Sequence, residues 1–270
     1  MTSPIEPRTA SLYHASRAPA VEPGVAAAIV AAAMASYLAV MAVVQPRLSF
    51  VIAQLALAAV AAIAAAIAAS PGGARGVVGA LGLRGARPRF FAAAIAIGAT
   101  TWYVNAWLVD WLVARLGLPQ AEIHHLKGLV ERPPLPLGLA MFALLPAVCE
   151  EIVFRGVLAR SLGRRHSLIA AAAISAAVFA AYHLSLIQAL PTLTLGLLLA
   201  VIAIRADSIA PTMLAHAINN ALAIAMSRGE LPAAAGWLDR HPIAALAGCT
   251  AATAGGIVMA ARRERDLPMA

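Results

Sequence analysis

The amino-acid sequence predicts an all-α integral membrane protein, a bundle of about eight transmembrane helices. Of its 270 residues, 62% are hydrophobic and only 12% are charged, whereas soluble domains carry about 25% charged residues. The apolar residues form runs of roughly 20 residues, the length that an α-helix needs to cross a bilayer. Together these observations exclude an ordinary soluble domain.

Eight apolar segments follow one another and form a predicted transmembrane bundle over residues 23–261. They cover roughly residues 24–44, 48–69, 90–116, 138–162, 167–190, 191–204, 209–226 and 242–261. The segment 48–69 contains no ionisable residue, so we interpret it as scaffold. Pro191 is expected to break or kink the chain between the fifth and sixth segments.

The remaining stretches are polar. Residues 1–22 contain no apolar run and predict a disordered tail, and residues 262–270 predict a short basic tail. Residues 117–137 and 227–241 are predicted to be polar loops. The adjacent pair His124 and His125 falls in the first of these loops, and we expect it to be solvated.

The basic residues predict the orientation and the partners of the bundle. With eight spans, thirteen Lys and Arg residues fall on the side of the termini and six on the other side. Basic loops favour the cytoplasm, so we predict a multi-pass protein of the cell inner (plasma) membrane with both termini cytoplasmic. The net charge of +8 comes mostly from loop and terminal arginines without interleaved aromatic residues. We therefore predict the lipid bilayer as partner and no nucleic acid.

One apolar segment contains three ionisable residues within six positions, Glu150, Glu151 and Arg155. Each costs roughly 2.5–3.5 kcal/mol at the bilayer centre, so each needs a partner. On a helix, Glu151 and Arg155 share a face, and the guanidinium would keep the carboxylate ionised. Glu150 lies about 100° further round and can face a cavity as a general base for water.

Three further polar side chains lie in other apolar segments. His216 and Asn220 are four residues apart and present one face, and Phe179 precedes His183 by the same spacing. A single such histidine is usually structural. Two histidines, an asparagine and an otherwise unpaired glutamate at intermediate depth instead predict one water-filled functional site.

These residue types favour hydrolysis of a carbonyl compound. Glu150 with His183 could deprotonate a water molecule, and His216 with Asn220 could donate hydrogen bonds to the oxyanion. Alternatively, Glu150, His183 and His216 could be three ligands of a catalytic zinc ion. The residue types alone do not separate the two mechanisms.

The signatures Glu150-Glu151-x-x-x-Arg155, Phe179-x-x-x-His183 and His216-x-x-x-Asn220 resemble the CPBP family (CAAX proteases and bacteriocin-processing, Abi-type proteins). The resemblance covers about residues 138–226. It implies an intramembrane endopeptidase, similar to the type II CAAX prenyl endopeptidases, that acts on a membrane-associated or lipidated peptide. By the same likeness, Glu150 and His183 activate water, His216 and Asn220 form the oxyanion site, and Glu151 and Arg155 are essential members of the motif.

Three other functions compete with this prediction. A proton- or ion-coupled transporter could use Glu150 and His183 as a relay, although no internal repeat is evident. A non-catalytic scaffold or immunity protein would be expected to lack one or more motif residues. A thiol protease would depend on Cys149, which we interpret as a small buried side chain.

Overall fold

The computed structural model of the protein describes residues 21–43, 51–57, 59–60, 73–118 and 120–262. Of these residues 86% are helical and none lies in a β-strand, which confirms the predicted all-α class. The helices are α1 Pro23–Val43, α2 Gly73–Leu81, α3 Pro88–Leu116, α4 Ala121–Glu131, α5 Leu135–Leu162, α6 Leu168–Tyr182, α7 Leu186–Ala206, α8 Ala210–Ser227, α9 Pro232–Arg240 and α10 Pro242–Ala261. Residues 51–57 and 59–60 are also helical.

Five of the described helices are long and apolar enough to cross a membrane, namely α1, α3, α5, α7 and α10. Helix α6 is apolar but has only 15 residues. These helices support a multi-pass membrane protein, while the number eight stays a prediction. Most of the two predicted tails, namely residues 1–20 and 263–270, and much of segment 48–69 lie outside the described residues.

Two stretches that we predicted to be polar loops contain the short helices α4 and α9. In α4, Lys127 and Glu131 form an i, i+4 ion pair with an Nζ–Oε1 distance of 3.6 Å. In α9, Pro232 occupies the first turn, where its fixed φ suits a helix, and Arg240 lies in the last turn. The loop predictions were wrong because a polar segment can form an exposed helix.

Pro191 lies inside α7 and does not end an apolar segment. Its carbonyl oxygen accepts hydrogen bonds from Asn105 Nδ2 of α3 at 3.2 Å and from Thr194 Oγ1 at 2.9 Å. The first of these bonds connects α7 to α3 at this level, whereas the carbonyl group that loses its helical donor to a proline is that of the residue four positions earlier, here Ile187. The chain turns earlier than predicted, after Tyr182, where Leu184 has a left-handed φ of 51°.

Helix α3 is the scaffold on which α7, α8 and α10 pack. A Cβ atom at Gly98 of α3 would lie 2.5 Å from the carbonyl oxygen of Ala215 in α8, and one at Gly256 of α10 would lie 2.9 Å from Ile97. Glycine therefore lets these helices approach closely, as is usual in membrane bundles. The contact at Ala215 fixes the part of α8 that carries His216.

Helix α5 contains two π-helical stretches, Ala140–Leu144 and Glu151–Ala159. Such wider turns are rare in proteins and are frequent at functional sites. The second stretch begins at Glu151, and it contacts α2 where a Cβ at Gly156 would lie 2.6 Å from the Leu81 carbonyl oxygen. Helix α5 also packs against α6, α7 and α8, so it brings the predicted site residues together.

Candidate active site

Glu151 lies between a guanidinium and an imidazole. Its Oε1 atom is 2.9 Å from Arg155 Nη1 and 2.9 Å from His216 Nδ1. The side chains of Glu151 and Arg155 are both fully buried, and the Arg155 guanidinium also lies over the ring of Phe179, 4.1 Å from its centroid. The pair that the i, i+4 spacing predicted is therefore formed, and it holds His216 as well.

His216 connects the two adjacent carboxylates. An ionised carboxylate only accepts hydrogen bonds, so Nδ1 of His216 carries the proton that it donates to Glu151. The other ring nitrogen, Nε2, lies 3.9 Å from Glu150 Oε2. A carboxylate on Nδ1 fixes the tautomer and the orientation of the ring, and here it directs Nε2 towards Glu150.

Glu150 has a partner that sequence analysis missed. Gln54 Nε2 donates a hydrogen bond of 2.7 Å to Glu150 Oε1, and both side chains are buried. We had interpreted segment 48–69 as scaffold because it contains no ionisable residue. The available signal was a single amide side chain in an otherwise apolar helix, which needs a hydrogen-bond partner.

His183 lies at the end of α6 and not on its face. Its Nδ1 atom is 2.8 Å from the Phe179 carbonyl oxygen, which accepts the Nδ1 proton and leaves Nε2 as an acceptor. The ring of Phe179 packs edge-on against His183 with centroids 4.8 Å apart, and lies 6.2 Å from the ring of His216. Phe179 is therefore the aromatic wall between the two imidazoles.

Asn220 is held against the first π-helical stretch of α5. Its Nδ2 atom donates to the Phe142 carbonyl oxygen at 3.2 Å, and Asn219 donates to Asn220 Oδ1 at 3.1 Å. A primary amide has two N–H donors, so these two bonds engage one donor and the acceptor of Asn220. The arrangement orients the carboxamide of Asn220 on the same helix as His216.

The predicted zinc ligands do not form a metal site in the part of the chain that the structure describes. Glu150 and His216 approach each other, but no three His, Cys, Asp or Glu side chains there are grouped to hold a metal ion. The zinc alternative therefore stays a prediction. Cys149, the alternative thiol nucleophile, is buried in an apolar cluster with Phe154 and Tyr182.

Comparisons with known proteins agree with the resemblance seen in the sequence. Residues 132–222 match the family model of the Rce1-like proteins, described as type II CAAX prenyl endopeptidase Rce1-like. This range is close to the predicted core at 138–226 and includes all the candidate site residues. No curated protein and no solved structure matches the chain significantly.

Proposed function

We propose that the protein cleaves a peptide bond of a membrane-associated substrate, with Glu150 in the catalytic role. The premise is that residues 132–222 match the Rce1-like family model, as the resemblance to the CPBP family predicted. A domain of this family in a multi-pass membrane protein supports an intramembrane endopeptidase in general. The observation that carries the specific proposal is the position of His216, whose ring nitrogens face Glu151 and Glu150. Such a buried polar arrangement is costly within a membrane and is usually functional.

Glu150 is the proposed general base. It takes a proton from a water molecule that also donates to Nε2 of His183, and the resulting hydroxide attacks the carbonyl carbon of the peptide bond. The contacts of the two residues support this role, since Gln54 holds the Glu150 carboxylate and the Phe179 carbonyl directs Nε2 of His183 away from its own helix. When the tetrahedral intermediate collapses, Glu150 returns the proton to the leaving amine nitrogen and the C–N bond breaks.

His216 and Asn220 are the proposed oxyanion donors. Asn220 has a second N–H available besides the one bound to Phe142. His216 donates through Nε2 when both ring nitrogens are protonated, and the Glu151 carboxylate beside Nδ1 stabilises that cation. Arg155 in turn pairs with Glu151. Glu151 and Arg155 are therefore proposed positioning residues that act through His216.

The proposed substrate is a peptide anchored to the membrane near its cleavage site, with a prenylated C-terminal peptide as the first candidate. This choice follows the family description of a CAAX prenyl endopeptidase. The proposed location is the plasma membrane with both termini in the cytoplasm, as the distribution of basic residues predicts.

Comparative proteomics of membranes tests the function. We expect new protein termini in cells that express the parent protein, and the same termini to disappear with Glu150→Gln. The matched control is Glu131→Gln, an exposed carboxylate on α4, which should leave the termini unchanged. Identical termini with the parent and Glu150→Gln would refute the proposal, provided that both proteins are present in the membrane at equal amounts.

A further inference from the structure

A polar cavity, separate from the candidate active site, lies where the start of α3 meets the end of α7. It has a volume of about 430 Å³, and four arginines line it together with the ring of Phe90. These arginines are Arg84, Arg87, Arg89 and Arg205. No acidic residue is among the described residues that line the cavity. A cavity with one sign of charge indicates an anionic ligand.

The ends of two membrane-spanning helices place this cavity at the membrane surface. Helices α3 and α7 are both long and apolar enough to cross the bilayer. The cavity borders the first turn of α3, which begins at Pro88, and the last turn of α7, which contains Arg205. It therefore lies at the level of the lipid headgroups, on the side that the basic residues predict to be cytoplasmic.

The nearest acidic residue does not neutralise the cavity. Asp207 interacts with three guanidiniums, those of Arg84, Arg160 and Arg164. One carboxylate shared among three cations leaves a positive surplus beside the cavity.

The buried donors of Arg89 are the second observation that indicates an anionic ligand. Its Nε and Nη1 atoms are buried and have no hydrogen-bond partner among the described residues. The guanidinium lies 4.7 Å from the centroid of the Phe90 ring, a contact that holds it in place without satisfying its N–H donors. A buried donor without a partner is unfavourable, and a phosphate oxygen is the acceptor that suits a guanidinium best.

We propose that this arginine cavity, defined by Arg84, Arg87, Arg89 and Arg205, binds the phosphate of an anionic phospholipid headgroup. Its volume suits a small organic ligand, and basic cavities between transmembrane helices are known to bind anionic headgroups. This assignment is independent of the proposed peptidase function.

Native mass spectrometry of the protein released from phosphatidylglycerol nanodiscs tests the assignment. We expect the parent to retain phosphatidylglycerol and the double variant Arg89→Gln, Arg205→Gln to bind it more weakly by about fivefold per arginine, as for basic residues near an anionic surface. The matched control removes two exposed arginines elsewhere, Arg115→Gln at the other end of α3 and Arg240→Gln on α9. The control should retain the lipid like the parent.

Two further experiments distinguish a loss of charge from a loss of folding, and a lipid ligand from free phosphate. The variant Arg89→Lys, Arg205→Lys keeps the charge and should keep most of the bound lipid, which shows that the fold tolerates changes at these positions. Equal retention by the parent and the glutamine variant would overturn the proposal. Displacement of the lipid by millimolar inorganic phosphate would overturn the lipid assignment, because the cavity would then bind the free ion.

Discussion

Two buried charged clusters lie on the same helix, and their hydrogen bonds differ. Arg160, near the end of α5, donates to Asp207 at 2.9 Å and to the carbonyl oxygens of Ala80 at 2.7 Å and Gly79 at 3.1 Å. Arg155, in the active-site cluster, is paired with Glu151, but its Nε and Nη2 atoms have no hydrogen-bond partner among the described residues. Both guanidiniums are buried.

Because the buried guanidiniums of the two clusters differ in their hydrogen bonds, we attribute a structural role to the cluster around Asp207 and a functional role to the cluster around Glu151. The cluster around Asp207 uses the donors of Arg160 on backbone carbonyls, so it fastens α2 and the end of α7 to α5. The active-site cluster keeps unsatisfied polar atoms, each of which costs about 1–3 kcal/mol. Such a cost is typical of sites whose polar groups interact with a substrate or a transition state.

The largest expected effect is that of Glu150→Gln. Loss of the general base should lower kcat/KM by about 10²–10⁴-fold, measured as cleavage of a prenylated peptide by the purified protein in proteoliposomes. The melting temperature should change little, because glutamine can still accept a hydrogen bond from Gln54. Full activity of this variant would remove Glu150 from the chemistry.

Asp207→Asn should affect stability and leave the chemistry intact. It leaves Arg84 and Arg160 without their counter-charge, and breaking a buried ion pair costs about 3 kcal/mol at the lower end of the measured range. That lower end is appropriate because Asp207 is 15% exposed. Denaturation in detergent measures the loss, and the exposed Asp110→Asn is the control. A variant of normal stability with lower activity per folded molecule would contradict the structural assignment of this cluster.

Asn220→Ala should lower kcat about 10²-fold with little change in KM, because an oxyanion donor acts mainly in the transition state. Its neighbour Asn219→Ala is the matched comparison and should have a smaller effect, since Asn219 reaches the site only through Asn220. Steady-state kinetics separate the two constants. A change confined to KM would place Asn220 in substrate binding.

Gln54→Leu should lower kcat about tenfold, because a hydrogen bond to a charged group is worth about 1.5–3 kcal/mol and Glu150 keeps His216 as a neighbour. As a positioning residue, Gln54 should change kcat and not KM. Leu55→Gln, at an exposed neighbouring position, is the control for a changed polarity of this helix. An unchanged kcat would show that Glu150 does not need this donor.

The smallest expected effect is that of metal removal. If Glu150 works without zinc, treatment with a strong chelator should leave the cleavage rate unchanged, and elemental analysis should find far less than one zinc ion per chain. Stoichiometric zinc whose removal abolishes cleavage would restore the metal mechanism.

Sequence reasoning reached the contacts that depend on local spacing. The Glu151–Arg155 pair follows from i, i+4 geometry, and the short distance between Glu150 and His216 follows from the cost of leaving ionisable groups apart in lipid. Sequence reasoning failed where contacts between distant parts of the chain determine the structure. Pro191 lies inside α7 although it removes one i→i−4 hydrogen bond, and Gln54 becomes a site residue only through the packing of its helix beside α5.

The early end of α6 has a consequence for which bonds the protein can cut. Fifteen residues make a rod of about 22 Å, while the hydrocarbon layer is about 30 Å thick. If α6 starts at one membrane face, the turn at His183 lies below the opposite face, and in the proposed mechanism water would reach His183 from that opposite face. We therefore expect a scissile bond to be selected by its depth below that face, so that moving it by one residue along an anchored peptide alters cleavage more than changing the flanking side chains.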